Sequence, residues 1–543
     1  MTRPDPNSSE WIAPPEEVAA NLLSCTLGDA LSNAASRWPD REALVYRNQP
    51  AIEPASWTYG ELDAVASRLA AALANLGYRP GDRIAVWGPN HPEWVLLEYA
   101  IAKAGMVLVA LNPLYRSAEL HFALTDSGAT GIFHADLIGT ASPAEVIAQV
   151  RPGIPGLRHV HSFSDLPGLI AGATTAPDTI SIDPRATFMI QYTSGTTGVP
   201  KAVRLSHQAL ATTGRNSYRN WRLGEGSRVC FGFPLFHVGG SGNSIPGACL
   251  NGATALPLHI FKADITLDIL EREACTAFIG VPTMLIAMLD HPSFRERDLS
   301  AMETIIVGGA PVSRDLLHRC QDGFGVEVMN GYGQTETSGI TATTRFDDSE
   351  DQKTQTSGQA LEGVSIAIRD DAGCTLPHGE TGELHYRGPG GMTGYGSRDD
   401  EAVSENDWIA SGDLARMDGA GFVTIVGRKK EMIIRGGENL SPVEIEGYLR
   451  EHEAVADVAV IGLPDKKYGE IVCAVVRRRP GSDASGSDIR SWCAERISRW
   501  KVPEHVEFTD EFPMTPSGKI QKFKLQEIMS ERLGLTAETE GTD

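Results

Sequence analysis

Ten residues constrain this chain most: Tyr192-Thr193-Ser194-Gly195-Thr196-Thr197-Gly198-Val199-Pro200-Lys201. Thr187 to Gln191 reads as a short apolar strand that empties into them. Gly195 and Gly198 permit positive φ and close backbone approach, so successive N–H groups can converge on an anion as a nest. Thr193, Ser194, Thr196 and Thr197 add hydroxyl donors, and Lys201 adds a point charge suited to outer phosphates. A Walker A loop is excluded, because its lysine is followed by Ser or Thr and opens a helix. Here Ala202 to Leu205 continues as a strand, and Ser206 is an N-cap for a helix that begins at His207.

From Asp82 to Met329 the chain alternates strand and helix around this loop. Strands are expected at Arg83–Trp87, Met106–Leu111 and Gly131–His134, with helices at Pro92–Ala104 and Ser117–Ser127. After the loop, strands fall at Val229–Phe233, Ala253–Leu256, Ala277–Gly280, Thr304–Val307 and Val326–Met329. Helices between them are expected at Leu267–Ala274, Thr283–Leu289 and Ser313–Gln321, with another near Gly240–Leu250, where Gly239, Gly240 and Gly242 weaken it. That pattern implies an α/β fold of doubly wound character. Ligands in such sheets sit beyond the carboxyl ends of the strands. Four strand exits should therefore line one crevice: Pro234 to Gly240, Val281 to Met284, Gly308 to Pro311, and Asn330 to Glu336.

The last exit carries the most chemistry. Tyr332, between Gly331 and Gly333, can present its face to a purine, and Glu336 can offer a carboxylate to Mg²⁺. Glu336 stands where a dinucleotide fingerprint needs a glycine, so that fingerprint fails. From Thr341 to Arg428 short strands and Asp/Gly turns predict a small β-barrel. Asp413, in the turn-like Ser411-Gly412-Asp413-Leu414, and Arg428 are suited to ribose hydroxyls. Beyond Arg428 a compact α+β domain is expected, ending near a lysine in Pro516-Ser517-Gly518-Lys519-Ile520.

A chain of 543 residues with 41% hydrophobic content supports two or three packed units. Its net charge of −22 argues against nucleic-acid binding. Eight scattered cysteines with no C-x-x-C pair fit a reducing cytoplasm. Met1 to Glu10 reads as a disordered tail with no signal-peptide core. Trp94 to Leu111 is too polar for a membrane span because of Glu98, Lys103 and Gly105.

The phosphate loop, the Gly-Tyr-Gly-Gln-Thr-Glu exit, Asp413, Arg428 and Lys519 occur in an order that resembles the adenylate-forming superfamily, specifically its AMP-forming acyl-CoA synthetases. The resemblance runs from about Thr58 to Lys524, with Ala202 in place of the usual glycine. It implies a large N-terminal domain over residues 1–429, built of doubly wound α/β subdomains and a small β-barrel. A small mobile C-terminal domain follows over 430–543. The implied activity joins an apolar carboxylic acid (fatty, alicyclic or aryl) to coenzyme A through an acyl adenylate; the alternative is an adenylating enzyme that loads a carrier protein.

By resemblance, nucleotide would be held by Thr193, Ser194, Gly195, Thr196, Thr197, Gly198, Lys201, Gly309, Ala310, Pro311, Asn330, Gly331, Tyr332, Gly333, Gln334, Thr335, Asp413, Arg428 and Lys519. Lys519, Glu336, His237 and Thr193 would be catalytic, the second and fourth also holding Mg²⁺. The acyl pocket would be His237, Val238, Gly239, Gly242, Val281, Met284, Gly309, Gly331 and Ile340. Gly239, Gly240 and Gly242 are expected to leave space for the acyl group. Gly436, Gly437, Glu438, Lys466 and Lys467 would meet coenzyme A, and Lys430 would be the hinge. The partners implied are the acid, ATP and coenzyme A, with no nucleic acid, no transmembrane segment and homodimerisation left open.

Overall fold

A computed structural model describes residues 8–49, 55–173, 181–193, 200–310, 312–396, 403, 407–436, 438–515 and 519–535. The apolar strands assemble into two large, mainly parallel sheets. The first has the order Gly394–Tyr395, Lys201–Ser206, Thr187–Thr193, Val107–Leu111, Arg83–Trp87, Gly131–His134, His159–Ser162. The second has the order Gln359–Ala360, Ala342–Thr343, Glu327–Tyr332, Thr304–Gly308, Ala277–Gly280, Arg228–Phe231, Thr254–Pro257, Glu42–Val45, Ser56–Thr58. Both are covered by helices, as buried parallel sheets require.

Local signals set the element ends. Ser206 accepts from the Ala209 N–H and so caps the helix His207–Asn220. The helix Ser117–Ser127 stops at Gly128, whose φ of 64° is left-handed. Glu98 lies on the helix Pro92–Lys103 and is fully buried, and burial pushes its carboxyl well above the usual range. The polar residue that argued against a membrane span thus sits in the protein core, where burial favours its neutral form.

The turn-rich stretch after Thr341 contributes an antiparallel sheet in the order Glu10–Trp11, Ser365–Arg369, Gly382–Arg387, Ile409–Met417, Val423–Arg428. Two expectations are corrected here. Ser411 to Leu414 is part of a nine-residue strand with a register shift at Leu414/Ala415. Ser9 and Glu10, expected in a disordered tail, are instead ordered: Ser9 N–H donates to the Leu376 carbonyl and Ile368 N–H to the Ser9 carbonyl, and Glu10 pairs with Ala367.

The glycine-rich stretch after His237 is also corrected. Val238–Ser244 is a π-helical segment that runs into the helix Ile245–Asn251. The glycines serve packing there. A Cβ at Gly240 would lie 2.3 Å from the Pro234 carbonyl oxygen, and one at Gly242 would lie 2.6 Å from a Val238 methyl.

The C-terminal part forms a separate sheet, Glu438–Leu440, Ile433–Arg435, Gly469–Arg478, Val455–Asp465, with His505–Phe508 running parallel to Gly469–Arg478. Its apolar residues form two cores of their own, one around Ile445 and Val460 and one around Leu463 and Leu525. The helix Lys522–Leu533, which supplies Leu525 and Met529, was not among the expected elements.

Candidate active site

Four of the strands are neighbours in one parallel ladder, pairing Phe231 with Ile279, Gly280 with Val307, and Gly308 with Gly331. Their carboxyl ends therefore open side by side. The exits are close-packed: a Cβ at Gly308 would lie 3.3 Å from Phe233, one at Gly280 3.3 Å from the Met284 sulfur, and one at Gly331 3.1 Å from Ile340. Val281 is buried, whereas Gly309 and Ala310 are exposed. Buried Asn90 fixes the first exit by donating to the Phe233 and Leu258 carbonyls and accepting from the Leu235 N–H. Pro311 lies outside the described residues.

On the side expected to hold nucleotide, the Tyr332 hydroxyl donates to Asp413 Oδ2 at 2.6 Å. Arg428 Nε reaches the other oxygen at 3.3 Å, because Asp413 and Arg428 are register partners across two antiparallel strands. Burial, then Asp413, pushes the Tyr332 phenol well above its ordinary range. The turn that carries Tyr332 has no room for a second side chain. A Cβ at Gly333 would meet the Gly339 oxygen at 1.5 Å, and the turn is closed by Gly339 N–H to the Gln334 carbonyl and Thr341 N–H to the Tyr332 carbonyl. Asn330 is buried beneath it and donates to the Thr356 carbonyl, and Thr335 is buried in the short helix Thr335–Thr337.

Lys519 enters this crevice from the C-terminal domain. A Cβ at Gly309 would lie 3.3 Å from Lys519 Cε and 3.7 Å from Val281 Cγ1. The residue as a whole remains exposed. Desolvation first, then Arg428, lowers its pKa, opposed by Asp413 and Glu431. The same cation acts on His237, whose pKa falls to about 4, by burial first and then by Lys519. His237 Nδ1 accepts from the Gly239 N–H at 3.1 Å. A neutral imidazole with Nδ1 as acceptor carries its proton on Nε2, so His237 is a donor there.

Across the antiparallel strands that flank the expected phosphate loop, Thr193 pairs with Lys201. Ser194, Gly195, Thr196, Thr197 and Gly198 lie outside the described residues. The Lys201 ammonium stands 4.9 Å from the centre of the Tyr395 ring, and the Tyr395 hydroxyl donates to Glu336 Oε1 at 3.2 Å. Among the described residues no three His, Cys, Asp or Glu side chains cluster as a metal site. Mg²⁺ is typically held by one or two carboxylates together with substrate phosphates. Glu336 and the Thr193 hydroxyl are hard oxygen ligands of the right kind.

The residues expected to meet coenzyme A gather elsewhere on the small domain. Gly436, with φ of 60°, donates its N–H to the Tyr468 carbonyl and packs on Trp500 and Tyr468. Lys467 lies over the Tyr468 ring at 4.8 Å, and Lys466 precedes it in the same turn. Gly437 and the Glu438 side chain lie outside the described residues. Lys430 is exposed in the turn closed by Glu431 N–H to the Arg428 carbonyl.

Sequence reasoning missed Asn90, Tyr395, Tyr468 and Trp500. A signal existed for one of them: Gly394-Tyr395-Gly396 repeats the Gly-Tyr-Gly of residues 331–333.

The sequence profile described as AMP-binding enzyme matches residues 31–396, and that described as AMP-binding enzyme C-terminal domain matches residues 444–519. The chain is 34% identical over 550 residues to the putative acyl-CoA synthetase YngI of Bacillus subtilis (strain 168), covering 95% of this chain and 100% of that one. It is 33% identical over 555 residues to the mitochondrial medium-chain acyl-CoA ligase ACSF2 of Bos taurus, covering 95% and 90%. Among solved structures, the anthranilate CoA ligase AuaEII in complex with anthranoyl-AMP superposes with a TM-score of 0.86 at 26% identity, covering 95% of this chain and 100% of that one.

Proposed function

The chain belongs to the AMP-binding enzyme family and is an AMP-forming acyl-CoA synthetase, and from that premise we propose that it activates a neutral, apolar carboxylic acid. The observation that carries the reading is Lys519 over Gly309, in a crevice that also contains His237, Tyr332, Asp413 and Arg428. A carboxylate must attack the α-phosphate of ATP and expel pyrophosphate, a step opposed by anion–anion repulsion and favoured by fixed cations. Lys519 would serve the α-phosphate and the carboxylate, and Lys201 the outer phosphates. Asp413 and Arg428 suit the ribose, and Tyr332 suits the purine. His237 Nε2–H can orient the carboxylate without adding a positive charge. Mg²⁺ at Glu336 and Thr193 would neutralise phosphate charge when bound.

The acyl side is lined by Val281, Met284, Phe233 and Ile340, which favours an apolar acid. Relatives named as medium-chain acyl-CoA ligases direct the first test to acids of that length. The eight cysteines stand as free thiols, which supports a reducing compartment, and the cytoplasm is the proposed one. Among the described residues no helix is long and apolar enough to cross a membrane.

The test is pyrophosphate release across short, medium, long, aryl and alicyclic acids and a set of α-amino acids. Release confined to the neutral apolar acids is expected. Comparable release with an α-amino acid overturns the substrate class.

A further inference from the structure

We infer that Tyr395 is a positioning residue for the phosphate end of the site, aiming the Glu336 carboxylate through its hydroxyl while its ring holds the Lys201 ammonium. The inference rests on the proposed ATP-dependent reading and adds a residue to it. Backbone pairing puts Tyr395 there. It is the register partner of Val203, and Lys201 lies two residues before Val203 on the same face of that strand. Tyr395 and Lys201 are therefore diagonal cross-strand neighbours, a spacing that aromatic and long side chains bridge. The other end of the segment is tied to the Glu336 turn, where Met392 N–H donates to the Glu336 carbonyl at 2.8 Å. Gly396 N–H donates to the Ala202 carbonyl at 2.8 Å and fixes the near end.

One side chain thus touches a cation and an anion that ATP needs simultaneously, in two chemically different ways. The ammonium sits over the π-face at 4.9 Å, an attraction that leaves its N–H donors available to an incoming phosphate. The hydroxyl binds one carboxylate oxygen at 3.2 Å and orients the other. A phenol keeps its proton at neutral pH, so the hydroxyl acts as the donor in this contact. A lysine and a carboxylate near each other would otherwise pair directly, and the triphosphate would have to break that pair before it could bind.

Two variants separate the two contacts: Tyr395→Phe keeps the ring and loses the hydroxyl, and Tyr395→Leu loses both. ATP affinity is measured by isothermal titration calorimetry without acid or coenzyme A, once with Mg²⁺ and once with chelator. For Tyr395→Phe we expect about tenfold weaker binding of ATP with Mg²⁺, the scale of one hydrogen bond to a charged group, and metal-free binding within about twofold of the parent. Tyr395→Leu should weaken both. Parent-like binding of ATP with Mg²⁺ by Tyr395→Phe, or an equal loss with and without Mg²⁺, overturns the inference, and Tyr395→Phe decides alone if Tyr395→Leu does not fold. A parent enzyme that binds ATP in neither condition instead overturns the functional reading itself.

Discussion

At the scale of single residues, Lys519 and His237 are linked by charge, and each gives a separable prediction. Lys519→Ala removes the cation at Gly309, so acyl-adenylate formation should slow by several powers of ten while thioester formation from supplied acyl adenylate is largely spared. Equal loss in both half-reactions would refute this assignment. Because burial lowers the Lys519 pKa, its proton leaves at lower pH than from an ordinary lysine. Adenylation should therefore fade on the alkaline side before about pH 10.4, and Lys519→Arg should move that limb upward, since guanidinium stays charged. His237 has the opposite consequence for stability. Its folded pKa of about 4 lies below the ordinary 6.5, so between these values the unfolded chain binds a proton that the native state refuses. Its contribution is complete above pH 6.5 and is lost as pH falls toward 4, by at most about 3 kcal/mol. Asn at 237 keeps an acceptor for the Gly239 N–H and cannot titrate. His237→Asn should therefore show a shallower fall in melting temperature from pH 7 to 4, with His207, also lowered to about 4, leaving a residual slope. An unchanged slope would remove His237 from the account. The identities of these residues were legible in the sequence, because Lys519 stands in a distinctive turn and His237 follows a strand exit. Their mutual influence was not legible, since 281 residues separate two side chains that meet only through the domain arrangement.

At the scale of elements, the turn after Glu327–Tyr332 is the least tolerant part of the site. Alanine at Gly333 would put its Cβ 1.5 Å from the Gly339 oxygen, a contact that only backbone displacement relieves, and that displacement would carry Tyr332 and Glu336 with it. Gly333→Ala should lower the melting temperature by several degrees and weaken ATP binding at least tenfold. Gly168→Ala, in a helix where the added atom meets nothing within 4 Å, should be neutral or stabilising by up to about 1 kcal/mol. Matching behaviour of the two variants would overturn the steric argument. The central strands of the two large sheets were legible because each is an apolar run bounded by turn residues, whereas the outer strands Gly394–Tyr395, His159–Ser162, Gln359–Ala360, Ala342–Thr343, Glu42–Val45 and Ser56–Thr58 were not expected, being short or weakly apolar. Ile409–Met417 was missed because Gly412 and Asp413 look like a turn, although both belong to a strand paired on each side. The helix after His237 was underrated because propensity counts glycine as a breaker. Packing overrides it: a Cβ at Gly247 would meet Tyr218 at 2.4 Å, and one at Gly214 would meet the Gly247 nitrogen at 2.9 Å. Lys522–Leu533 buries only Leu525 and Met529, too narrow a stripe to stand out in the sequence.

At the scale of the whole molecule, Lys519 stands beside Gly309 and Val281 in the crevice, while Gly436 and Lys467 pack on Tyr468 of the small domain. We propose that the two halves of the reaction use two arrangements of the domains, divided at 429/430, with Lys430 absorbing the rotation. The separate cores on either side of this turn are the property a rigid-body motion needs. The turn is built by its neighbours: Lys429 N–H donates to the Gly412 carbonyl and Glu431 N–H to the Arg428 carbonyl. Among the described residues the Lys430 N–H takes no part in these bonds, and its φ is outside the positive range. Proline at 430 therefore removes no hydrogen bond from this arrangement. It fixes φ near −65° and restricts Lys429, at some cost in stability. Lys430→Pro should retain acyl-adenylate formation within about tenfold of the parent yet transfer acyl groups to coenzyme A at least a hundredfold more slowly, the mirror image of Lys519→Ala. The two half-reactions, measured separately on folded protein, decide it. Parent-rate transfer by the proline variant would mean that Lys430 is not the hinge, and selective loss of adenylation would mean that the observed turn, and not the rotation away from it, depends on the freedom of this residue.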